Sequence, residues 1–216
     1  MIEKILIDNI LKEQEEHDKK IRSGKFNPSC FGQCYRRQIW NRMNLPKSNP
    51  IGIETLKVFR AGKLFHDMIQ QLLPINSTEV LVEEEDIKGF ADIVMEEEVV
   101  DIKSQKSFAF TLMAKKGFNL FVDKIEHVLQ VSYYAWKLGK KDARMVYINK
   151  DTIEIKEFSI NVGMIIPKIE EEISILRNWW GQWQDKKEFP PASPRLYKGK
   201  ECTYCQFENT CKGKQF

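Results

Sequence analysis

GFADIVMEEEVVDIKSQ, residues 89–105, is the stretch that decides how the rest of the chain folds. Two short apolar runs rich in β-branched residues, 90–95 and 99–102, flank the acids Glu96, Glu97 and Glu98. Runs of that kind on either side of a polar break read as an antiparallel pair of strands. A turn centred between Glu96 and Glu97 sets Asp92 opposite Asp101 and Phe90 opposite Lys103. Glu-Glu is poor chemistry for a two-residue hairpin, so a four-residue loop over 95–98 is expected to keep that register. Residues directly opposite hold their Cβ atoms about 5 Å apart, and like charges there repel. Lys103, two residues beyond Asp101, points to the same face. Two carboxylates and an ammonium thus converge on one side of a sheet, and a divalent cation between the carboxylates turns repulsion into attraction. A loop of odd length undoes this by placing the aspartates on opposite faces, and an ordinary acidic hairpin is the competing reading.

At 216 residues and 42% hydrophobic, the chain can bury one good core and is read as one domain with an appendage. A formal net charge of +3 names no partner. From Arg195 to Phe216 five basic residues stand against two acidic ones, which suits an anionic ligand or a solvated basic tail. No apolar run approaches the about 20 residues of a membrane helix, and the N-terminus lacks a secretory pattern. A cytoplasmic protein without a membrane segment is the expectation. Five cysteines in that compartment point to metal binding or free thiols rather than disulfides.

Apolar spacing predicts an exposed helix over 2–21 and a second over 30–43, with Ser29 as its N-cap after Asn27-Pro28. A long helix over 54–73, ended by Pro74, carries Gly62 and His66. Strands follow over 79–84, 87–95 and 99–104, then helices over 108–116 and 124–138. A second hairpin is expected over 145–149 and 152–158, and an amphipathic helix over 165–183. Glu83, Glu84 and Glu85 read as a solvated charge run, in which a second metal ligand is the minor alternative. The order gives an α/β fold with a mixed central sheet and helices packed on it.

The C-terminal region places Cys202, Cys205 and Cys211 within ten residues. Three thiolates leave a four-coordinate site one short. The fourth must come from Cys30 or Cys34, four apart and so on one face of the expected helix. Spacing alone leaves zinc and an iron–sulfur cluster equally open.

Together these residues resemble the RecB-type branch of the PD-(D/E)XK nucleases, and within it the iron–sulfur CRISPR-associated exonucleases of the Cas-four type and their phage relatives. The segment Pro28-Ser29-Cys30-Phe31-Gly32-Gln33-Cys34-Tyr35-Arg36-Arg37 is similar to the family's P-S-x-Φ-x-x-C-x-R element. Gly62–His66 is similar to its G-x-x-x-H helix, and Gly89–Asp92 with Asp101-Ile102-Lys103 to its two acidic motifs. Gln130–Tyr134 matches Q-x-x-x-Y, and Cys202, Cys205 and Cys211 match the C-terminal triad. The departures are Asp101, where many superfamily members have Glu, and Cys30 beside the expected ligand. No one of these motifs is specific; their order along nearly the whole chain is.

The resemblance implies a restriction-endonuclease-like core of helix, three strands, helix and strand over 52–184, with an iron–sulfur appendage from 28–45 and 190–216. It implies Mg²⁺ or Mn²⁺ held by His66, Asp92, Asp101 and the backbone carbonyl of Ile102, with Lys103 orienting the attacking water. Gln130 and Tyr134 would position the strand, and Arg36 and Arg37, beside Arg42, would track phosphates. A structural [4Fe–4S] cluster would sit on Cys34, Cys202, Cys205 and Cys211, zinc being the runner-up. The function implied is a metal-dependent DNA exonuclease acting on single strands or free ends, working with CRISPR-adaptation or recombination proteins. A non-catalytic DNA-binding or adaptor subunit and a zinc-stapled α/β domain are the readings from other classes.

Overall fold

The structure is a computed structural model, and it describes residues 1–19, 23–72 and 78–213. Five strands form one mixed sheet in sequential order: β1 (Thr78–Glu83), β2 (Lys88–Val94), β3 (Glu98–Gln105), β4 (Asp142–Asn149) and β5 (Ile155–Asn161). β1, β2 and β3 form an antiparallel meander, β3 and β4 run parallel, and β5 returns antiparallel to β4. Parallel neighbours cannot be joined by a tight turn. The connection from β3 to β4 accordingly carries the helices α4 (Ser107–Leu112), α5 (Leu120–Asp123) and α6 (Ile125–Lys137).

α6 is the helix that fixes the core. Val128, Val131, Tyr133 and Ala135 are fully buried, so it is apolar nearly all round and is wedged between the sheet and α7 (Ile166–Lys186). The other sheet face carries a smaller cluster of Ile93, Val100, Ile102 and Ile148 under Ile69 of α3 (Ile53–Leu72). That placement brings the middle of α3 to the edge where β2 and β3 meet. The N-terminal α1 (Ile2–Lys19) buries none of its residues and packs along α3, with Asp18 held by Lys47 at 2.6 Å.

The helix expected over 30–43 is broken. Asn27 accepts a hydrogen bond from the Ser29 amide and caps a single 3₁₀ turn, Pro28–Cys30; the helix proper, α2, runs Tyr35–Arg42 with Cys34 as its N-cap residue. Gly32, at φ 78°, turns the chain between them in the left-handed region that an α-helix cannot pass through. Ser29 is therefore not the N-cap, and Cys30 and Cys34 do not share a helix face. The helix expected over 108–116 is shorter, ending at Leu112, and Asn119 caps the separate turn of α5. β5 begins three residues later than expected, after a loop with Ile153 at φ 61°. The helix end at Ile21, the Pro74 stop and the basic residue Lys214 lie outside the described residues.

The C-terminal segment folds back onto α2. Trp40 packs edge-on against Phe189 and Phe207, at 5.9 and 5.5 Å between ring centroids. Two buried carboxylates tie the segment to the loop before α2. Glu201 accepts from the backbone amides of Cys34 and Arg195, at 2.9 Å each. Glu172 on α7 pairs with Arg195 at 2.7 Å and accepts from the Gly32 amide and from Gln38. Each buried charge thus has partners for its lone pairs, which is the condition for keeping it buried.

Candidate active site

The hairpin register is the expected one, with Ile93 opposite Val100 and Val94 opposite Val99 around the loop Met95–Glu98. There the ladder stops. Asp92 and Asp101 occupy the next position, where β2 and β3 part, and side chains take over the backbone groups. The Ile102 amide donates to Asp92 Oδ2 at 2.9 Å, and Gln70 of α3 donates to the Asp92 carbonyl at 3.1 Å. The opening is therefore satisfied rather than frayed.

Into it α3 delivers His66, whose Nε2 lies 3.1 Å from Asp92 Oδ2. Glu79 comes from the other side, its Oε1 3.9 Å from His66 Nδ1. The register of β1 on β2 sets Glu79 opposite Asp92, between the pairs Thr78–Ile93 and Val80–Ala91. Glu79, Asp92 and Asp101 thus stand in a row across three strands. One ligand atom each from His66, Glu79 and Asp92 falls within 4.8 Å of the others, a spacing that fits a single ion. Glu79 holds φ 53° in a strand, a conformation that costs a non-glycine residue about 1–2 kcal/mol. Strain of this kind collects at functional sites.

Asp101 is buried, and its Oδ2 lies 2.6 Å from Lys103 Nζ, a close ion contact. Neither Asp101 oxygen has a well-directed hydrogen bond among the described residues. Burial, joined by the charge of Asp92, pushes the Asp101 carboxyl up despite Lys103. Burial also works against the Asp92 carboxylate, but the His66 hydrogen bond and Lys103 prevail and hold it below its ordinary range. The Asp92 hydrogen bond raises His66. Lys103 loses solvation on burial, yet the two aspartates keep it raised and charged. A buried carboxylate paired with one ammonium, beside two further carboxylates and an imidazole, is a hard donor set of the type that takes a divalent cation. His66, Glu79 and Asp92 fit such an ion, while Asp101 stands outside that group of three, on Lys103; Glu79 is an addition to the ligands expected from the sequence.

On the other flank a cleft of about 640 Å³ is lined by Gln130 and Tyr134 of α6 together with Gly89, Phe90, Lys88 and Arg37. Tyr133 is core, packed edge-on against Phe31 at 5.4 Å. Tyr134 reaches the strand, and burial together with Asp101 and Asp92 pushes its phenol up, so it stays protonated. Gly89 is required by this approach, because a Cβ there would lie 2.3 Å from the Tyr134 hydroxyl.

The three arginines are committed differently from the expectation. Arg36 donates to the Pro190 carbonyl at 2.7 Å and points to Cys211. Arg42 stacks on Trp180 and Phe26, at 4.0 and 4.5 Å from the ring centroids. Only Arg37, which contacts Glu201 at 3.7 Å, also borders the cleft. Glu83 is held by Lys25 and Lys88, and Glu84 by Lys137, so neither turns toward His66.

Cys34, Cys202, Cys205 and Cys211 line one small cavity, with Arg36, Trp40 and Glu201 around them. No cysteine is in a disulfide, and Cys30 borders the larger cleft instead. Burial raises Cys202 and Cys205, and so does the charge of their neighbouring thiols. Among the described residues no three of these sulfurs come within 4.8 Å of one another.

No protein-family model and no curated protein matches the chain. Solved structures do match. The crystal structure of SSO0001 aligns over 100% of this chain and 98% of that one, with TM-score 0.59 and 24% identity. An alkaline exonuclease from Laribacter hongkongensis, LHK-Exo, aligns over 77% of this chain and 94% of its own, with TM-score 0.51 and 14% identity. The same exonuclease in complex with dAMP gives TM-score 0.52 at 15% identity, over 76% of this chain and 93% of that one. The chain has the fold of these proteins, which here takes the form of a five-stranded mixed sheet with helices packed on it.

Proposed function

We propose that this protein is a divalent-metal-dependent DNA exonuclease. The observation that carries the reading is the meeting of His66, Glu79 and Asp92 with the Asp101–Lys103 pair where β2 and β3 part. The likeness in fold to an alkaline exonuclease supports it. His66, Glu79, Asp92 and Asp101, with the Ile102 carbonyl, would hold Mg²⁺ or Mn²⁺, which supplies a Lewis acid and a water of lowered pKa. Lys103, held charged by Asp101, orients the attacking water and faces the charge that builds on the phosphate. Tyr134 and Gln130 position the strand along the cleft, and Lys88 and Arg37 attract its phosphates without reading sequence.

Cys34, Cys202, Cys205 and Cys211 would hold a structural [4Fe–4S] cluster, so that 28–45 and 190–216 form one appendage on a catalytic core over 52–184. The lining of one small cavity by these four cysteines supports a single shared group.

The test is digestion of end-labelled single- and double-stranded DNA with and without Mn²⁺. Metal-dependent release of nucleotides from an end is expected; intact substrate under every condition refutes the assignment. Iron content and visible absorbance of anaerobically purified protein decide the cluster, and colourless protein with stoichiometric zinc overturns it.

A further inference from the structure

A second recess, of about 570 Å³, opens beside His66 and Lys103 on the α3 side of the sheet. The carboxyl ends of the parallel strands β3 and β4 build its floor, the part of an open α/β sheet where ligands settle. Gln105 pairs with Asn149, and the Lys150 amide donates to the Gln105 carbonyl at 2.8 Å, so Ser104 and Lys150 arrive side by side. Both turn toward Gly62 of α3. A point one Cβ beyond Gly62 lies 3.6 Å from Ser104 Oγ and 3.7 Å from Lys150 Nζ.

The charges in this recess are not equivalent. Lys103 is matched by Asp101, and Lys63 by Asp67 at 3.0 Å. Among the described residues no carboxylate lies within ion-pair distance of Lys150; its Nζ touches only the Val58 carbonyl, at 3.4 Å. An ammonium and a hydroxyl converging on one point, with no carboxylate of the described residues paired to that ammonium, have the chemistry that an anion needs. Phe59, 57% exposed, offers an aromatic face on the same wall.

We propose that Gly62, Ser104 and Lys150 bind the phosphate of a nucleotide adjoining the one attacked, with Phe59 stacking on its base. The inference rests on the nuclease reading, which makes a nucleic-acid strand the ligand of the neighbouring site. Gly62 is part of the receptor because a side chain there would occupy the phosphate position.

The experiment titrates thymidine 5′-monophosphate and thymidine, without divalent ion, into the full-length protein and its variants. Wild type is expected to prefer the monophosphate, and Lys150→Ala to lose that preference, roughly tenfold for one charge-assisted contact. Gly62→Ala keeps the fold, since its Cβ meets only ordinary van der Waals contacts, and is expected to lose the same preference. Phe59→Ala weakens both ligands alike. Equal binding of the two ligands by wild type, or an unchanged preference in both Lys150→Ala and Gly62→Ala, overturns the subsite. Cleavage assays separate the two ideas. If wild type digests DNA and Lys150→Ala digests it with unchanged KM, the subsite fails while the nuclease reading stands. If wild type digests nothing, that reading fails and the titration still decides the subsite.

Discussion

Gly89→Ala tests the architecture of the site through a single methyl group. The new Cβ would lie 2.3 Å from the Tyr134 hydroxyl oxygen, 3.1 Å from Tyr134 Cε1 and 3.0 Å from Pro28 Cδ. A carbon and an oxygen settle about 1 Å further apart than the closest of these distances, so β2 and α6 must separate or Tyr134 must leave its place. Tyr134 is buried and packs edge-on against Tyr133, which Phe31 holds in turn, so it has little room to move. Overpacking of this size costs about 1–3 kcal/mol. For a chain of this length that lowers the melting temperature by about 2–4 °C per kcal/mol. DNA cleavage should fall more steeply than stability, because Tyr134 lines the cleft. The Gly89→Ala/Tyr134→Phe double variant removes the closest clash and should recover part of the lost stability, a coupling of about 1 kcal/mol or more. Melting curves of wild type, both single variants and the double variant supply the cycle. Strictly additive effects would refute the steric account, and so would a Gly89→Ala protein as stable and active as wild type.

Asp101→Ala should abolish cleavage, and it should also destabilise the fold by about 3–5 kcal/mol, because it takes from the Lys103 ammonium its nearest partner. Chemical denaturation beside the cleavage assay checks both halves, and wild-type digestion by this variant would remove Asp101 from the site. Cys34→Ala should lose the iron-derived absorbance while Cys30→Ala keeps it, since only Cys34 borders the cavity of the C-terminal cysteines; bleaching by Cys30→Ala alone would reverse the assignment. Asp86 accepts two hydrogen bonds from Arg177, at 2.7 and 2.8 Å, and that guanidinium holds its pKa below the ordinary 3.8 despite partial burial. A depressed carboxylate stabilises the folded state above its unfolded pKa and loses that contribution as pH falls through the folded one. Asp86→Asn should therefore cost about 1 kcal/mol at neutral pH, with the gap to wild type closing only in acid below the ordinary carboxylate value; a gap that persists there would mean the pair contributes through packing instead.

The hairpin could be read from the sequence because two rules constrain it at once. Side chains alternate with period two, and an even loop lets Asp92 and Asp101 share a face; the sequence left the odd loop open, and the pairs Ile93–Val100 and Val94–Val99 decide for the even one. His66 was legible only through the Gly62–His66 pattern, since nothing local marks a helical histidine as facing a strand opening. Glu79 was missed, although the same reasoning applied to the turn at Glu85-Asp86 sets it opposite Asp92. Its signal was a like-charge pair across a second hairpin, and the run Glu83–Glu85 obscured it. The break in the helix over 30–43 was hidden for another reason. Its apolar spacing survives on both sides of Gly32, and the need for a left-handed residue there arises from Glu172 and Glu126, far along the chain. Arg36 and Arg42 looked like phosphate contacts because a guanidinium on a helix is usually solvated. Here long-range partners, the Pro190 carbonyl and Trp180, claim them.

The contact between Glu201 and the Cys34 amide spans 167 residues. On the ribosome, at about 5–20 residues per second, Cys34 emerges roughly ten seconds or more before the segment carrying Cys202 and Cys211. The sheet and α6 can close in that interval, because their strands are near neighbours in sequence, while the loop holding Cys34 waits with its thiol open to oxidants. The cysteine cavity can thus be completed only after the residues of the sheet and α6 have left the ribosome, so its two walls meet on strands and a helix that have already had time to pack.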